Sequence, residues 1–300
     1  VGKLPSLSLQ FNLNHLLKVW VHSTVDFTEV NRSGGFVMSL DIFSLKDYVV
    51  VITGAGGAIG GATAHVLAEA GAKVVLSDLN YEAAQKNADD ITQATGQETL
   101  AIKTNVTVEA ELQELVDATL NKFGKITALV NNVGWGEYTP LWGVDTDYMV
   151  KSYILNTVSS YNLTKLCMPH LKKEKNASVT FSGSMVGVTP SPEFISYSNA
   201  KAALINMVRS MAAMSGPEVR FNTIVIGSVD NGASTLDAGY DEAMLKRLAD
   251  SFVMKRRGVP KDIAYAFNYL ISPAASWVTG IELRVDGGGS YKSKMPTSDD

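Results

Sequence analysis

The sequence predicts an α/β fold: one doubly wound sheet of seven mainly parallel strands with helices on both faces. From about Tyr48 onward, short β-branched apolar runs alternate with helical patterns, the runs number seven, and no repeat or linker interrupts them. A chain of 300 residues with 46% apolar content is long enough to bury the core that such a sheet needs.

The first run, residues 48–52, leads into Thr53-Gly54-Ala55-Gly56-Gly57-Ala58-Ile59-Gly60 and a helical segment at 60–70. Glycines on a strand–turn–helix let the backbone turn sharply and approach a pyrophosphate, whose charge is favoured by the free N–H groups and the dipole of the helix start. Taken alone, a tight turn with close helix packing explains them as well. The second run, 73–77, ends at Asp78, eighteen residues beyond Gly60 and near the offset at which an acid meets an adenosine ribose. A carboxylate there accepts from the ribose hydroxyls and repels a 2′-phosphate, and the glycine turn holds no Lys or Arg to attract one. NAD is therefore favoured over NADP; the plainer reading of Asp78 is a turn begun with Asn80.

The remaining strands are read at 100–103, 128–130, 178–181, 221–225 and 282–285, and helices at 82–95, 108–122, 196–214 and 261–270, from apolar residues three and four apart. Residues 1–37 stay outside this alternation and read as an upstream extension, with Met38 as a natural start and 38–290 as one domain. The polar tail after Ser290, residues 291–300, reads as frayed.

A formal charge of −4 without a long basic run favours neither nucleic acid nor an anionic membrane as partner, so a small molecule is the default. Cys167 is the only cysteine, which excludes an internal disulfide, and His15, His22, His65 and His170 lack metal-ligand spacing. A metal-free mechanism in a reducing compartment follows. The apolar stretch 16–21 is too short to span a bilayer and contains Lys18, and no signal peptide is assembled, so the chain reads as cytoplasmic.

Tyr197-Ser198-Asn199-Ala200-Lys201 sets a phenol and an amine one helical turn apart on one face. With 11 tyrosines and 19 lysines, chance gives about one such pair, and Tyr161 with Lys165 is a second. Context separates them. Ser184 stands thirteen residues before Tyr197 at a strand end, where ligands of open α/β sheets bind, whereas only Tyr148 stands there for Tyr161, which is assigned to helix packing. A neighbouring ammonium favours the phenolate of a tyrosine whose ordinary pKa is near 10, so Tyr197 can exchange a proton with an alcohol while Ser184 hydrogen-bonds the reacting oxygen.

At this point the chain resembles the short-chain dehydrogenase/reductase family from about Leu45 to Ser290, through the glycine turn, Asp78, Asn131-Asn132-Val133-Gly134, Asn156, Ser184, Tyr197 with Lys201, Trp277-Val278-Thr279-Gly280 and Val285-Asp286-Gly287-Gly288. Within it, the Gly-Ala-Gly turn, Ser184-Met185 and Ser272-Pro273-Ala274-Ala275-Ser276-Trp277-Val278 are similar to bacterial 7α-hydroxysteroid dehydrogenases. The resemblance implies a Rossmann-type domain, NAD(H)-dependent interconversion of a secondary alcohol and a ketone, and a homotetramer or homodimer. It also implies catalysis by Asn156, Ser184, Tyr197 and Lys201, with Lys201 on the nicotinamide ribose and Asn156 supporting a water relay to it. The cofactor set that it implies is Gly54, Gly56, Gly57, Ile59, Gly60, Asp78, Leu79, Asn105, Val106, Asn132, Gly134, Tyr197, Lys201, Val229 and Asn231.

The sequence departs from the family at four places. Ala58 replaces a glycine, Val133 replaces an alanine, and Asn105 replaces an aspartate that faces the adenine, where an amide oxygen still accepts. Ile226-Gly227-Ser228-Val229-Asp230-Asn231 replaces a Pro-Gly segment ending in Thr that usually holds the carboxamide. The substrate pocket is expected among Trp135, Tyr138, Met185, Val186, Phe194 and a lid at 231–252 with Gly232 and Gly239 near its ends. That apolar, aromatic setting suits an alicyclic or steroid-like alcohol, or simply packs the lid. The competing readings are a 3-oxoacyl thioester reductase, disfavoured by Asp78, and a catalytically silent dinucleotide sensor.

Overall fold

The computed structural model describes residues 40–139, 141–230, 232 and 241–291. The expected extension at 1–37, Asn231, Gly239 and the tail beyond residue 291 lie outside them. All of the described site residues lie within Asp41–Asp300.

Seven strands form one sheet in the order β3-β2-β1-β4-β5-β6-β7: β1 (Val49–Thr53), β2 (Lys73–Asp78), β3 (Thr99–Lys103), β4 (Ala128–Asn131), β5 (Ala177–Ser184), β6 (Val219–Ile226) and β7 (Glu282–Val285). Every described pairing is parallel, so the expected mainly parallel sheet is parallel throughout. The order reverses between β1 and β4, and a crevice opens there at the carboxyl edge.

The strands read as continuous apolar runs because both faces are covered. Val50 and Ile52 of β1 enter one core with Leu67, Ile263 and Phe267, while Val49 and Val51 enter the other with Leu115, Cys167 and Leu204. The helices supplying these residues are α1 (Ala58–Glu69), α2 (Tyr81–Thr95), α3 (Glu109–Phe123), α5 (Ser159–Leu171), α6 (Ile195–Ser215) and α8 (Pro260–Ile271); α4 (Thr146–Tyr153) and α7 (Glu242–Ser251) lie near the surface. Full burial of an aliphatic or phenyl side chain stabilises by about 1.5–3 kcal/mol, so these two cores supply the main favourable term.

Helix ends are fixed locally. Asn80 accepts from Ala83 N at 3.1 Å to start α2, Asp145 accepts from Tyr148 N at 2.7 Å to start α4, and Gly96 ends α2 in the left-handed region. Buried Arg220 closes the end of α8 by donating to the carbonyls of Leu270 at 2.7 Å and Ile271 at 3.2 Å.

Two differences from the sequence reading bear on the site. The fifth strand, expected at 178–181, extends to Ser184 because Ser182, Gly183 and Ser184 pair with Ile224, Val225 and Ile226 through the backbone, which needs no apolar side chain. Between α4 and α5 the helix widens by one residue per turn over Ile154–Val158, with Ser159 N donating to Ile154 O, and this buries Asn156. Tyr161 stays out of the core at 47% exposed, since the inner face of α5 is taken by Leu163, Thr164, Cys167 and Leu171. Among the described residues no helix is long and apolar enough to cross a membrane.

Candidate active site

The carboxyl ends of β4, β5 and β6 converge on a cavity of about 340 Å³. Ser184 at the end of β5, Tyr197 and Lys201 on α6, Asn132 and Gly134 after β4, and Ile59 on α1 all face it. Gly183 places Ser184 there by letting β5 lie close to β6, for a Cβ on it would stand 2.6 Å from Thr223 Cγ2. A larger hollow of about 500 Å³ flanks the opposite face of α6 at Ser198, Asn199 and Ala202, and of the candidate residues only Val186 borders it.

The glycine turn leaves the start of α1 open. Its N-cap is Gly57, which offers no side-chain acceptor, and the first turn carries no acidic residue, so the N–H groups there suit a phosphate. Gly60 lets α1 press against the turn: a Cβ would stand 2.7 Å from the carbonyl carbon of Gly54. Asp78 Oδ2 accepts from Gly56 N at 2.9 Å and Oδ1 from Asn80 N at 2.9 Å. The carboxylate thus begins the turn with Asn80 and also braces the glycine loop, with a lone pair left on each oxygen. Leu79 beside it is 63% exposed, and Val106 is buried under the end of β3.

Two asparagines are more occupied than the sequence suggested. Asn105 Oδ1 accepts from Thr107 N at 3.1 Å and Thr107 Oγ1 at 2.7 Å, which uses both lone pairs of the oxygen expected to face an adenine and leaves the Nδ2 donor. Asn132 ties three strands, donating to Thr53 O at 3.2 Å and accepting from Ser182 Oγ at 2.9 Å. Buried Asn156 grips the backbone of Trp135 at both groups: Oδ1 accepts from Trp135 N at 2.9 Å and Nδ2 donates to Trp135 O at 2.9 Å. Nδ2 also reaches Ser152 O at 2.9 Å. Its amide therefore holds the chain that crosses Tyr197 and Lys201.

Ser184 and Tyr197 line the same cavity, with Ser184 close enough to act on the Tyr197 hydroxyl. Lys201, wholly buried, donates Nζ to Ser182 O at 2.8 Å and stands 5.7 Å from the centre of the Tyr197 ring. The electrostatics differ from the expectation of a phenol drawn toward neutral pH. Burial raises the Tyr197 pKa, with the nearby Ser184 hydroxyl acting in the opposite sense, and burial also lowers Lys201 to about 7. Loss of hydration penalises phenolate and ammonium alike, and an amine lowered to about 7 is only partly protonated near neutral pH, so the phenol does not gain the full field of a fixed cation.

Trp135, Met185, Val186 and Phe194 line the cavity as expected. Tyr138 does not: it is 68% exposed and meets Phe194 edge-on at 6.3 Å. Ile226, Gly227, Ser228 and Val229 form the opposite wall. That segment lacks proline yet is strapped down, because Arg257 donates to Ser228 Oγ at 3.1 Å and to Val229 O at 2.7 Å, and Gly258 N donates to Ser228 O at 2.9 Å. One lone pair of the Val229 carbonyl is thus taken. Asn231, expected to replace the threonine hydroxyl, lies outside the described residues.

Sequence reasoning missed Arg257, the Ser182 carbonyl and Gly136, whose partners lie far along the chain. Among the described residues no group of three or more His, Cys, Asp or Glu could hold a metal ion.

A profile of the family described as enoyl-(acyl carrier protein) reductase matches residues 54–290. The 7α-hydroxysteroid dehydrogenase of Escherichia coli (strain K12) is 37% identical over 252 residues, covering 83% of this chain and 96% of its own. An NADP-dependent mannitol dehydrogenase of Hypocrea jecorina is 33% identical over 260 residues, covering 83% and 94%. A solved structure of 7α-hydroxysteroid dehydrogenase complexed with NADH and 7-oxo glycochenodeoxycholic acid superposes with a TM-score of 0.80 at 34% identity, covering 85% of this chain and 98% of that one.

Proposed function

The chain belongs to the short-chain dehydrogenase/reductase family, and on that premise we propose that it interconverts a secondary alcohol and a ketone with a nicotinamide dinucleotide, using Ser184, Tyr197 and Lys201. The observation that carries this is the gathering of Ser184, Tyr197 and buried Lys201 on one cavity at the carboxyl edge of the sheet.

The residues present fit such a cofactor: the uncapped start of α1 suits its pyrophosphate and Asp78 a ribose. When bound, the nicotinamide takes up or delivers the hydride. Ser184 offers its hydroxyl to the substrate oxygen and aligns it with Tyr197. In the reducing direction Tyr197 donates its proton to that oxygen, and its raised pKa keeps the proton available. In the oxidising direction it removes the alcohol proton, which requires the phenolate, and a protonated Lys201 favours that form. Asn156 acts by holding Trp135 in place.

NAD is the cofactor we favour. The Asp78 carboxylate repels a 2′-phosphate, and the adjoining turn has no cation to attract one. The apolar wall of Trp135, Met185, Val186 and Phe194 favours an alicyclic or hydroxysteroid-like alcohol. A homotetramer or homodimer in the cytoplasm completes the reading, and light scattering tests the assembly.

The decisive experiment mixes purified protein with NAD and a panel of alicyclic secondary alcohols, following NADH absorbance. Turnover that disappears in Tyr197→Phe supports the proposal. Cofactor binding without turnover on any member supports a silent sensor instead.

A further inference from the structure

Trp135 is gripped on both its backbone groups by Asn156, so the chain on either side of it runs past the candidate catalytic side chains at fixed height. On one side, a Cβ built on Gly134 would stand 2.7 Å from Lys201 Nζ. On the other, a Cβ on Gly136 would stand 2.5 Å from Tyr197 Cγ and 2.8 Å from both Tyr197 Cβ and Cδ1.

Contacts under 3 Å between carbons are strongly repulsive, and who yields depends on which group is free to move. At Gly134 the obstacle is the far end of a long side chain. At Gly136 it is the root of the Tyr197 ring, which cannot retreat without turning the side chain about Cα. The segment bearing Gly136 cannot easily retreat either, since the paired bonds at Trp135 hold it from one side and Glu137 N, bonded to Tyr148 Oη at 3.3 Å, from the other.

We propose that Gly136 is a positioning residue for proton transfer: its bare backbone sets where the Tyr197 ring rests against Ser184, and any side chain there displaces the phenol from the reacting oxygen. The ring plane is then defined on one face by a main chain rather than by mobile side chains. Gly136 meets the ring at its root, so this contact sets the tilt with which the hydroxyl end approaches Ser184. Placement errors near 1 Å at a reacting group cost about 100-fold in rate, which sets the effect expected of a single methyl group. Cofactor contacts at the glycine turn and Asp78 lie elsewhere and are untouched by it.

The inference rests on Tyr197 being the proton-transfer residue, and the two can fail separately. If Tyr197→Phe retains turnover the functional reading falls, whereas full turnover in Gly136→Ala removes only the positioning role. The test is Gly136→Ala, measured for NADH affinity, kcat with the best alcohol of the panel, and the solvent deuterium isotope effect on kcat. The expected result is a kcat lower by about 100-fold, an NADH Kd within about twofold of the parent, and a larger solvent isotope effect as proton transfer becomes slow. A loss merely of folded enzyme lowers the rate without changing that isotope effect, and so overturns the proposal, as does an unchanged kcat.

If Gly136→Ala yields too little folded protein to assay, its melting temperature is compared in the parent and in Tyr197→Gly, where the opposing Cβ and ring are gone. Destabilisation that vanishes in the second background supports the contact; equal destabilisation in both overturns it.

Discussion

Lys201 Nζ donates to the carbonyl oxygen of Ser182 at 2.8 Å, anchoring a buried amine to the strand that ends two residues later at Ser184. Burial lowers this amine to about 7, below its value near 10.4 in an unfolded chain. Below pH 7 both states hold the proton and the fold carries the full cost of burying the charge. Between about pH 7 and 10 the unfolded chain binds more protons, so Lys201 makes stability rise with pH. Melting temperatures of the cofactor-free enzyme should rise more steeply across that window than those of Lys201→Met. Parallel curves for the two proteins would show that the amine is not depressed.

Tyr197 and Tyr161 each precede a lysine by four residues, but only Tyr197 lines the cavity, together with Ser184. Tyr161 is 47% exposed on α5. Tyr197→Phe should lower kcat by a factor on the order of 10³ with the melting temperature little changed, because it deletes a proton carrier and retains the ring. Tyr161→Phe should leave kcat within about twofold. Steady-state kinetics of the two variants side by side decide it, and the reverse pattern would exchange their roles.

The sheet was legible in the sequence because a strand buried on both faces must be an unbroken apolar run, and Val49, Val50, Val51 and Ile52 show one. The end of β5 was not, since Ser182 and Gly183 join it through backbone pairing alone. The site was legible where one residue type does the chemistry, as at Ser184 and Tyr197. It was hidden where a residue works through a partner far along the chain: nothing near Gly136 points to Tyr197, and nothing near Arg257 points to Ser228. Asn156 was found, but its grip on Trp135 depends on the widened helical turn, which has no local signature.

Asp78 is expected to show two separable effects. Its carboxylate braces Gly56 and Asn80, and charge-assisted bonds of this kind are worth about 1.5–3 kcal/mol each before exposure weakens them. Asp78→Ala should lower the melting temperature, and it should also narrow the preference for NAD over NADP by removing the repulsion of a 2′-phosphate. Asp78→Asn keeps an oxygen for one of the two bonds and removes the charge, so it should restore part of the stability without restoring the preference. Measuring kcat/KM for both dinucleotides alongside thermal melts separates the two. An unchanged preference in both variants would take Asp78 out of the ribose site.

Arg257 replaces covalent stiffness with hydrogen bonds. A planar guanidinium reaches Ser228 Oγ and Val229 O together, fixing the wall of the cavity that lies opposite Tyr197 without a proline in the segment. Lysine retains the charge but presents a single point donor, so Arg257→Lys should loosen that wall while leaving Ser184 and Tyr197 in place. The expected signature is a cofactor KM raised by about tenfold with kcat changed less, since ground-state and transition-state contacts to the wall weaken together. Arg256→Lys is the matched control: Arg256 pairs with Asp262 at 2.6 Å on a half-exposed surface, where loss of bidentate geometry costs little. Equal effects of the two substitutions on cofactor KM would mean that the strap on Ser228 and Val229 does not govern binding.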